Sequence, residues 1–162
     1  MLQDMVTARI SDREAIRIVI EGVKENEIQG FRTLNQFLEN PDMSHAMLVE
    51  NIEDPDKSYY LVYWMVNNRI LCIAEVDAGE GNILSFTPFT HPGAEHYHNF
   101  MKAEEIVHDK FHEDEIIETS LVWRPCLESS SSLFPFRRVK TKQHTYFMSI
   151  SGDFYSELTP VG

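Results

Sequence analysis

The sequence predicts an α+β fold in which helices pack on an antiparallel sheet built of hairpins. The first observation is that apolar segments rich in aromatic and β-branched residues follow one another across short turns, as paired antiparallel strands do. The second is that segments with apolar residues at helical spacing precede these strand groups and do not alternate with single strands. The chain therefore lacks the repeated βαβ pattern that is typical of a parallel sheet.

The first helix is predicted to begin at a capping box, Ser11 to Glu14, in which the hydroxyl accepts a hydrogen bond from the amide three residues later. Apolar residues then recur on one side of the helix, with an interruption at residues 26–30: Ile16, Ile20, Val23, Phe31, Leu34 and Leu38. One long kinked helix and two shorter helices both satisfy this spacing. Asn40-Pro41 ends the helical segment.

After a first strand over residues 43–52, three strands are predicted within residues 59–86, and the rest of the fold is expected to build on them. Asn67-Asn68 suits the positive φ angles of a two-residue type I′ turn between the first two of these strands. This turn predicts the cross-strand pairs Val66 with Arg69, Trp64 with Leu71, and Tyr63 with Cys72.

Side chains alternate across a strand, so this register divides the hairpin into two faces. The uncharged face is predicted to be the core side, and its members are Tyr59, Leu61, Tyr63, Met65, Ile70, Cys72, Ala74 and Val76. The opposite face carries Trp64 together with Arg69 and Glu75, and we expect it to be only half covered.

The second half of the chain is predicted to repeat this order. A helix over residues 94–112 precedes strands at residues 115–124, 136–142, 145–150 and 154–158, with a mobile polar loop at Ser129 to Ser132. In both halves the last turn carries glycine and aspartate before an apolar strand. We therefore expect a single domain, residues 1–162, with two tandem helix-plus-sheet halves at residues 8–88 and 92–159.

The strands of the first half also resemble those of PepSY-like domains, the type found in peptidase propeptides. The matching residues are Tyr60, Val62, Val76-Asp77-Ala78, Gly81 and Ile83-Leu84. This resemblance implies a non-catalytic binding or inhibitory module that usually acts outside the cytoplasm.

Charge and composition narrow the functional classes. A net charge of −12 opposes general nucleic-acid binding and suits a basic partner. No apolar run reaches the roughly 18 residues of a membrane span, and the N-terminus lacks the apolar segment of a signal peptide, so we expect no membrane association and a cytoplasmic location by default. Cys72 and Cys126 are expected to remain reduced thiols.

Histidines form the candidate metal site. His108 and His112 lie four residues apart on the predicted helix, and His96 and His98 precede them. Such spacing can converge on one metal ion. The HExxH motif is absent and Lys110 would repel a cation, so a polar helix face that carries histidine is the favoured interpretation.

No motif for catalysis is present. The chain has no G-x-S-x-G sequence, and Gly79-Glu80-Gly81 lacks the third glycine of a phosphate loop. We therefore predict no catalytic residues and no cofactor.

A basic segment supplies the candidate partner contact. Arg138, Lys140 and Lys142 share one face of a predicted strand, and Trp64 is the candidate on the first hairpin. The alternative is that these cations neutralise the acidic residues 113–118 on a neighbouring element, or protect an edge strand.

Together these features favour a non-enzymatic binding module, with a regulatory or inhibitory role toward a protein partner. A small-ligand or enzymatic domain with a pocket between helix and curved sheet is the second hypothesis, and the histidine metal site is the third. The sequence does not predict the oligomeric state.

Overall fold

The computed structural model describes residues 9–25, 44–66, 69–88, 103–111 and 115–161. Within these ranges the predicted α+β class is confirmed, because two helices accompany an eight-stranded sheet that is mostly antiparallel. The elements are α1 (Asp12–Glu25), β1 (Ser44–Asn51), a 3-10 turn (Pro55–Lys57), β2 (Tyr59–Val66), β3 (Arg69–Asp77), β4 (Ile83–Pro88), α2 (Ala103–Phe111), β5 (Ile116–Trp123), β6 (Phe136–Thr141), β7 (Thr145–Met148) and β8 (Phe154–Tyr155). Neither helix is long and apolar enough to cross a membrane.

The chain divides into two compact units. The first contains residues 1–48 and 56–94, and its strands are hydrogen-bonded in the order β4-β3-β2-β1. The second contains residues 49–55 and 95–162, and its strands follow the order β1-β5-β6-β7-β8. Strand β1 thus contributes to both units, and its last three residues, Val49–Asn51, pair in parallel with β5.

Helix α1 begins at the predicted capping box. The amide of Glu14 donates to Ser11 Oγ at 3.1 Å, and the Glu14 carboxylate accepts from Arg17 at 3.4 Å. The fully buried side of the helix consists of Ala15, Val19 and Val23, while the predicted apolar residues Ile16 and Ile20 are partly buried beside it. The predicted continuation beyond residue 25 lies outside the described residues.

The register of the central hairpin agrees with the prediction only near its turn. Val66 pairs with Arg69 and Met65 with Ile70. The expected pairs of Trp64 with Leu71 and of Tyr63 with Cys72 are wrong, because Trp64 pairs with Cys72 and Tyr63 with Ile73. The ladder skips Leu71, which makes a β-bulge with one extra residue on β3.

The bulge reverses the predicted faces of β2 relative to those of β3, because a shift of one residue moves every side chain to the opposite face. One face of the hairpin packs against the buried side of α1, and its members are Tyr60, Val62, Trp64, Cys72, Ala74 and Val76. The predicted core residues Tyr59, Leu61 and Tyr63 are all buried, as are Cys72, Ala74 and Val76. The prediction that these two groups share one face is wrong, because Cys72, Ala74 and Val76 share the α1 side with the alternate residues of β2. The residues that were expected to lie on a half-covered face are also buried, since Trp64 is 2% exposed, Ile73 is fully inaccessible and Glu75 is 8% exposed.

The turn that follows β3 fixes the chain before α1. The amide of Ile10 donates to the Ala78 carbonyl at 2.9 Å, and the Tyr60 hydroxyl donates to the Ile10 carbonyl at 2.8 Å. Gly81 closes this turn with a φ of 79°. The N-terminal end of α1 is thus hydrogen-bonded to the sheet on which its buried side packs.

The second unit has its own core. Its described helix, α2, buries Val107 and exposes Glu105, His108 and Asp109. The rest of the predicted helix over residues 94–112 lies outside the described residues. A buried cluster joins β5, β6 and the segments that follow β5 and β8, and its members are Val122, Cys126, Phe136 and Leu158, with Ile52, Trp123, Phe147 and Tyr155 packed against them.

Candidate functional site

Trp64, a candidate partner residue, lies inside the first unit. Its side chain is 2% exposed and packs in the cluster between α1 and the hairpin. The bulge causes this placement, because it turns Trp64 toward the helix. The indole is therefore not accessible to a partner. The expected partner contact at an exposed sheet face near Trp64 is wrong, because that face is covered by α1.

The basic residues on and directly after β6 form ion pairs within the second unit. Arg138 lies 3.7 Å from a carboxylate oxygen of Glu118, Lys140 lies 3.8 Å from the other, and Lys142 lies 2.6 Å from Glu115. The interpretation that these cations neutralise the neighbouring acidic residues is confirmed. Edge protection is not their role, because β6 lies between β5 and β7. A partner would have to compete with these pairs.

The histidine site stays a prediction. Of its four residues only His108 is described, and its side chain is exposed on α2. His96, His98 and His112 lie outside the described residues. Elsewhere in the described ranges, no three histidine, cysteine or acidic side chains cluster as metal ligands.

The two cysteines are buried free thiols. Burial raises the pKa of Cys72 to about 12, and burial also raises the pKa of Cys126. A thiol is a poor nucleophile while it stays protonated. Neither cysteine is therefore suited to covalent catalysis at neutral pH.

A surface pocket that the sequence did not predict lies in the second unit. We call it the serine pocket. Its volume is about 410 Å3, and it is lined by residues 127–131, Phe134, residues 149–151, Asp153 and Tyr155. The β5–β6 connection forms one side of the pocket and the β7–β8 turn forms the other. Five serines contribute to its lining.

Serine side chains and the chain around them give the β5–β6 connection a defined conformation. The Ser129 hydroxyl donates to the carbonyl of Phe134 at 2.9 Å, and the Ser129 carbonyl accepts from the indole N–H of Trp123 at 3.3 Å. The amide of Leu133 donates to Ser131 Oγ at 3.2 Å. Residues 129–132 form the predicted loop. These hydrogen bonds argue against a freely mobile loop, because serine side-chain oxygens take the place of the backbone hydrogen-bond partners that a strand would have.

The β7–β8 turn is fixed in the same manner. The amide of Ser149 donates to the Asp153 carbonyl at 2.8 Å, and the amide of Asp153 donates to Ser149 Oγ at 3.0 Å. Gly152 has a φ of 90°, which the turn requires. The Ser151 hydroxyl donates to Asp153 Oδ2 at 3.2 Å and so orients this carboxylate.

Glu128 supplies a second oriented carboxylate. The hydroxyl of Thr159 donates to Glu128 Oε1 at 2.7 Å, and the amide of Thr159 donates to Oε2 at 2.9 Å. These hydrogen bonds lower the pKa of Glu128, because they favour the ionised form. The carboxylate is therefore charged at neutral pH.

The lining of the serine pocket carries both negative charge and exposed apolar side chains. Glu128 and Asp153 are acidic, and the described residues that line the pocket include no lysine, arginine or histidine. Leu127 is 72% exposed and Phe134 is 41% exposed. The pocket thus combines two carboxylates with accessible apolar surface. In the sequence, Leu127 and Phe134 lie on either side of the four serines at residues 129–132. Large apolar residues beside a polar loop are the sequence feature that could have indicated the pocket.

Comparison of the chain with protein-family models, with curated proteins and with solved structures finds no match in any of the three.

Proposed function

We propose that the chain is a non-enzymatic binding module that accepts a segment of a protein partner in the serine pocket, with a regulatory or inhibitory effect on that partner. The observation that carries this proposal is the exposure of Leu127 and Phe134 at a pocket with fixed walls. Large apolar side chains that stay accessible around a concave site are characteristic of interaction surfaces. Binding would remove them from water.

The chemistry of the pocket supports binding more than catalysis. The Ser129 hydroxyl donates to a backbone carbonyl, and Ser149 Oγ accepts from a backbone amide. A serine nucleophile requires a general base within hydrogen-bond reach, and the described lining residues contain no histidine or lysine for that role. The serines act here as structural groups of the walls.

A small ligand in the same pocket is the second candidate. Its volume of about 410 Å3 lies in the range of small-molecule sites, which supports this alternative. The serine pocket lies between two loops, whereas the second hypothesis from the sequence expected a pocket between a helix and a curved sheet.

We also propose that the two predicted halves, residues 8–88 and 92–159, are related copies of one helix-plus-sheet unit. Support comes from the described elements, since each unit places one helix before strands that pair with their sequence neighbours. The PepSY-like pattern at Tyr60, Val62 and residues 76–78 belongs to the same proposal and favours the same non-catalytic class.

Affinity capture with matched variants tests the binding function. Leu127→Ser and Phe134→Ser remove apolar surface from the pocket, and both side chains are exposed enough for the fold to tolerate the change. The control is Ile117→Ser, which removes a 61% exposed apolar side chain from β5, outside the pocket lining. We expect a protein that wild type and the control capture equally and that both pocket variants lose. Equal recovery by all four proteins, or no specific recovery, contradicts the proposal.

A further inference from the structure

We propose that the segment bound in the serine pocket presents a lysine or arginine to Glu128 and Asp153, with an apolar neighbour against Leu127 and Phe134. This inference rests on the proposed function, because it names the chemistry of the segment which that function requires. It commits to a protein segment as the occupant of the pocket.

The two carboxylates in the lining of the serine pocket are held by uncharged hydrogen-bond donors. Glu128 is held by the hydroxyl and amide of Thr159, and Asp153 accepts from the hydroxyl of Ser151. These donors are neutral, so they orient the carboxylates without cancelling their charge. A carboxylate has about four lone-pair positions, so Asp153 keeps acceptor capacity for a cationic donor, while Glu128, which accepts from both Thr159 donors, contributes its negative charge.

The two pocket carboxylates contrast with other carboxylates of the same unit. Glu115 and Glu118 each lie within ion-pair distance of a lysine or arginine on or directly after β6, and Glu53 lies 3.7 Å from Arg124. These acidic residues are neutralised inside the unit. The lining of the serine pocket supplies no such cation, so a cation from a partner would complete the pattern.

The apolar surface of the serine pocket also suits a lysine or arginine side chain. Lysine and arginine carry apolar stems that pack along exposed apolar surface while their charged ends reach polar groups. Leu127 and Phe134 offer that surface in the pocket whose lining also contains the two carboxylates. A purely apolar segment would desolvate the carboxylates without compensation, and an acidic segment would be repelled. The net charge of −12 further attracts a basic partner at long range.

An NMR titration of the full chain tests the inference. The probe is an acetylated and amidated pentapeptide with a central arginine between leucines, and the matched probe replaces arginine by citrulline, which is isosteric but uncharged. We expect the arginine probe to shift the backbone amides of residues 128–131 and 149–153 saturably. We expect the citrulline probe to bind about tenfold more weakly, since a charge-assisted hydrogen bond is about twice as strong as a neutral one. Added salt should weaken the arginine probe and leave the citrulline probe nearly unchanged.

Variants assign the preference to the two carboxylates. Asp153→Asn retains an acceptor for the Ser151 hydroxyl but removes the charge, and Glu128→Gln does the same opposite Thr159. Each should reduce the preference for arginine over citrulline. Glu157→Gln is the matched control, because Glu157 is exposed in the same unit but does not line the pocket. It changes the net charge equally and should preserve the preference.

The possible outcomes separate this inference from the proposed function. Equal binding of both probes, or no saturable shift near the pocket with either, overturns the cationic segment. The proposed function still stands in that case if the captured partner is lost in Phe134→Ser. If the captured partner does not depend on Phe134, the proposed function fails, and the cationic segment fails with it.

Discussion

Glu128 binds Thr159 through both oxygens of its carboxylate, with the shorter contact, 2.7 Å, to the threonine hydroxyl. The contact joins the β5–β6 connection to the segment that follows β8. Backbone contacts run beside it, since the amide of Leu127 donates to the Thr159 carbonyl at 3.0 Å and Cys126 forms a bridge with Pro160. The same short stretch that fastens the later segment thus supplies one wall of the serine pocket.

This contact should make stability depend on acid pH. The pKa of Glu128 is lowered in the folded state, so its contribution is fully present above the carboxyl pKa of the unfolded chain, about 4.3. It is lost as the pH falls through the lower folded-state pKa. We expect Glu128→Gln to unfold at lower urea concentration than wild type near neutral pH, with a difference that shrinks in acid. A difference of constant size across this range would contradict the assigned role of the charge.

Two phenylalanines that are two residues apart should respond in opposite ways to truncation. Phe136 is fully buried in the core of the second unit, whereas Phe134 is 41% exposed. Phe136→Ala should reduce the free energy of unfolding by about 3–5 kcal/mol. Phe134→Ala should change it by less than about 0.5 kcal/mol. Urea denaturation measures both, and a large loss for Phe134→Ala would show that this residue is structural.

Two glycines with positive φ separate backbone strain from packing. An alanine at Gly152 would meet no heavy atom within 4 Å, so Gly152→Ala should cost only the left-handed conformation, about 1–2 kcal/mol. An alanine at Gly81 would place its Cβ 2.9 Å from Ile18 Cδ1 on α1. Gly81→Ala should therefore cost about 1 kcal/mol more, as overpacking does. Thermal or urea unfolding of the two variants gives the comparison, and equal losses would mean that α1 moves without cost.

The two thiols should be protected from reagents in the folded protein. Cys72 is buried and its pKa is about 12, and the pKa of Cys126 is also raised by burial. At about pH 8 the thiolate fraction of each is below that of a free cysteine, because burial raises both pKa values above the free value of about 8.5. We expect slow reaction with a disulfide reagent in native buffer and prompt reaction of both thiols in denaturant. Cys72→Ala and Cys126→Ala assign each phase, and a fast native phase would identify an accessible thiol.

The sequence predicted the local elements of the fold better than their pairing. The capping box at Ser11, the turn at Gly81 and most strand positions follow from short-range chemistry, and all are present in the structure. The pairing of Trp64 was wrong because a bulge depends on how the whole hairpin packs. No local signal marks the skipped residue, Leu71, since its neighbours are apolar on both faces.

The serine pocket could not be predicted for a different reason. Its walls come from two segments about 20 residues apart in the sequence, and only the pairing of β6 with β7 and of β7 with β8 brings them together. Of the predicted basic face, Arg138 and Lys140 lie on β6, whereas the strand ends at Thr141, one residue before Lys142. The acidic partners of these three cations, Glu118 on β5 and Glu115 directly before it, matched an interpretation made from the sequence, since opposite charges on adjacent strands stabilise each other.

Strand β2 is apolar on both of its sides, so a shift in its register with β3 need not expose it to charge. Strand β2 holds no charged side chain between Tyr59 and Val66, so gaining or losing a residue on β3 would leave a comparable side of β2 facing α1. In a hairpin with one wet side, the same length change would drive charge into the interior. Strand β2 can therefore present either of its sides to α1 without placing a charged side chain of its own in the interior.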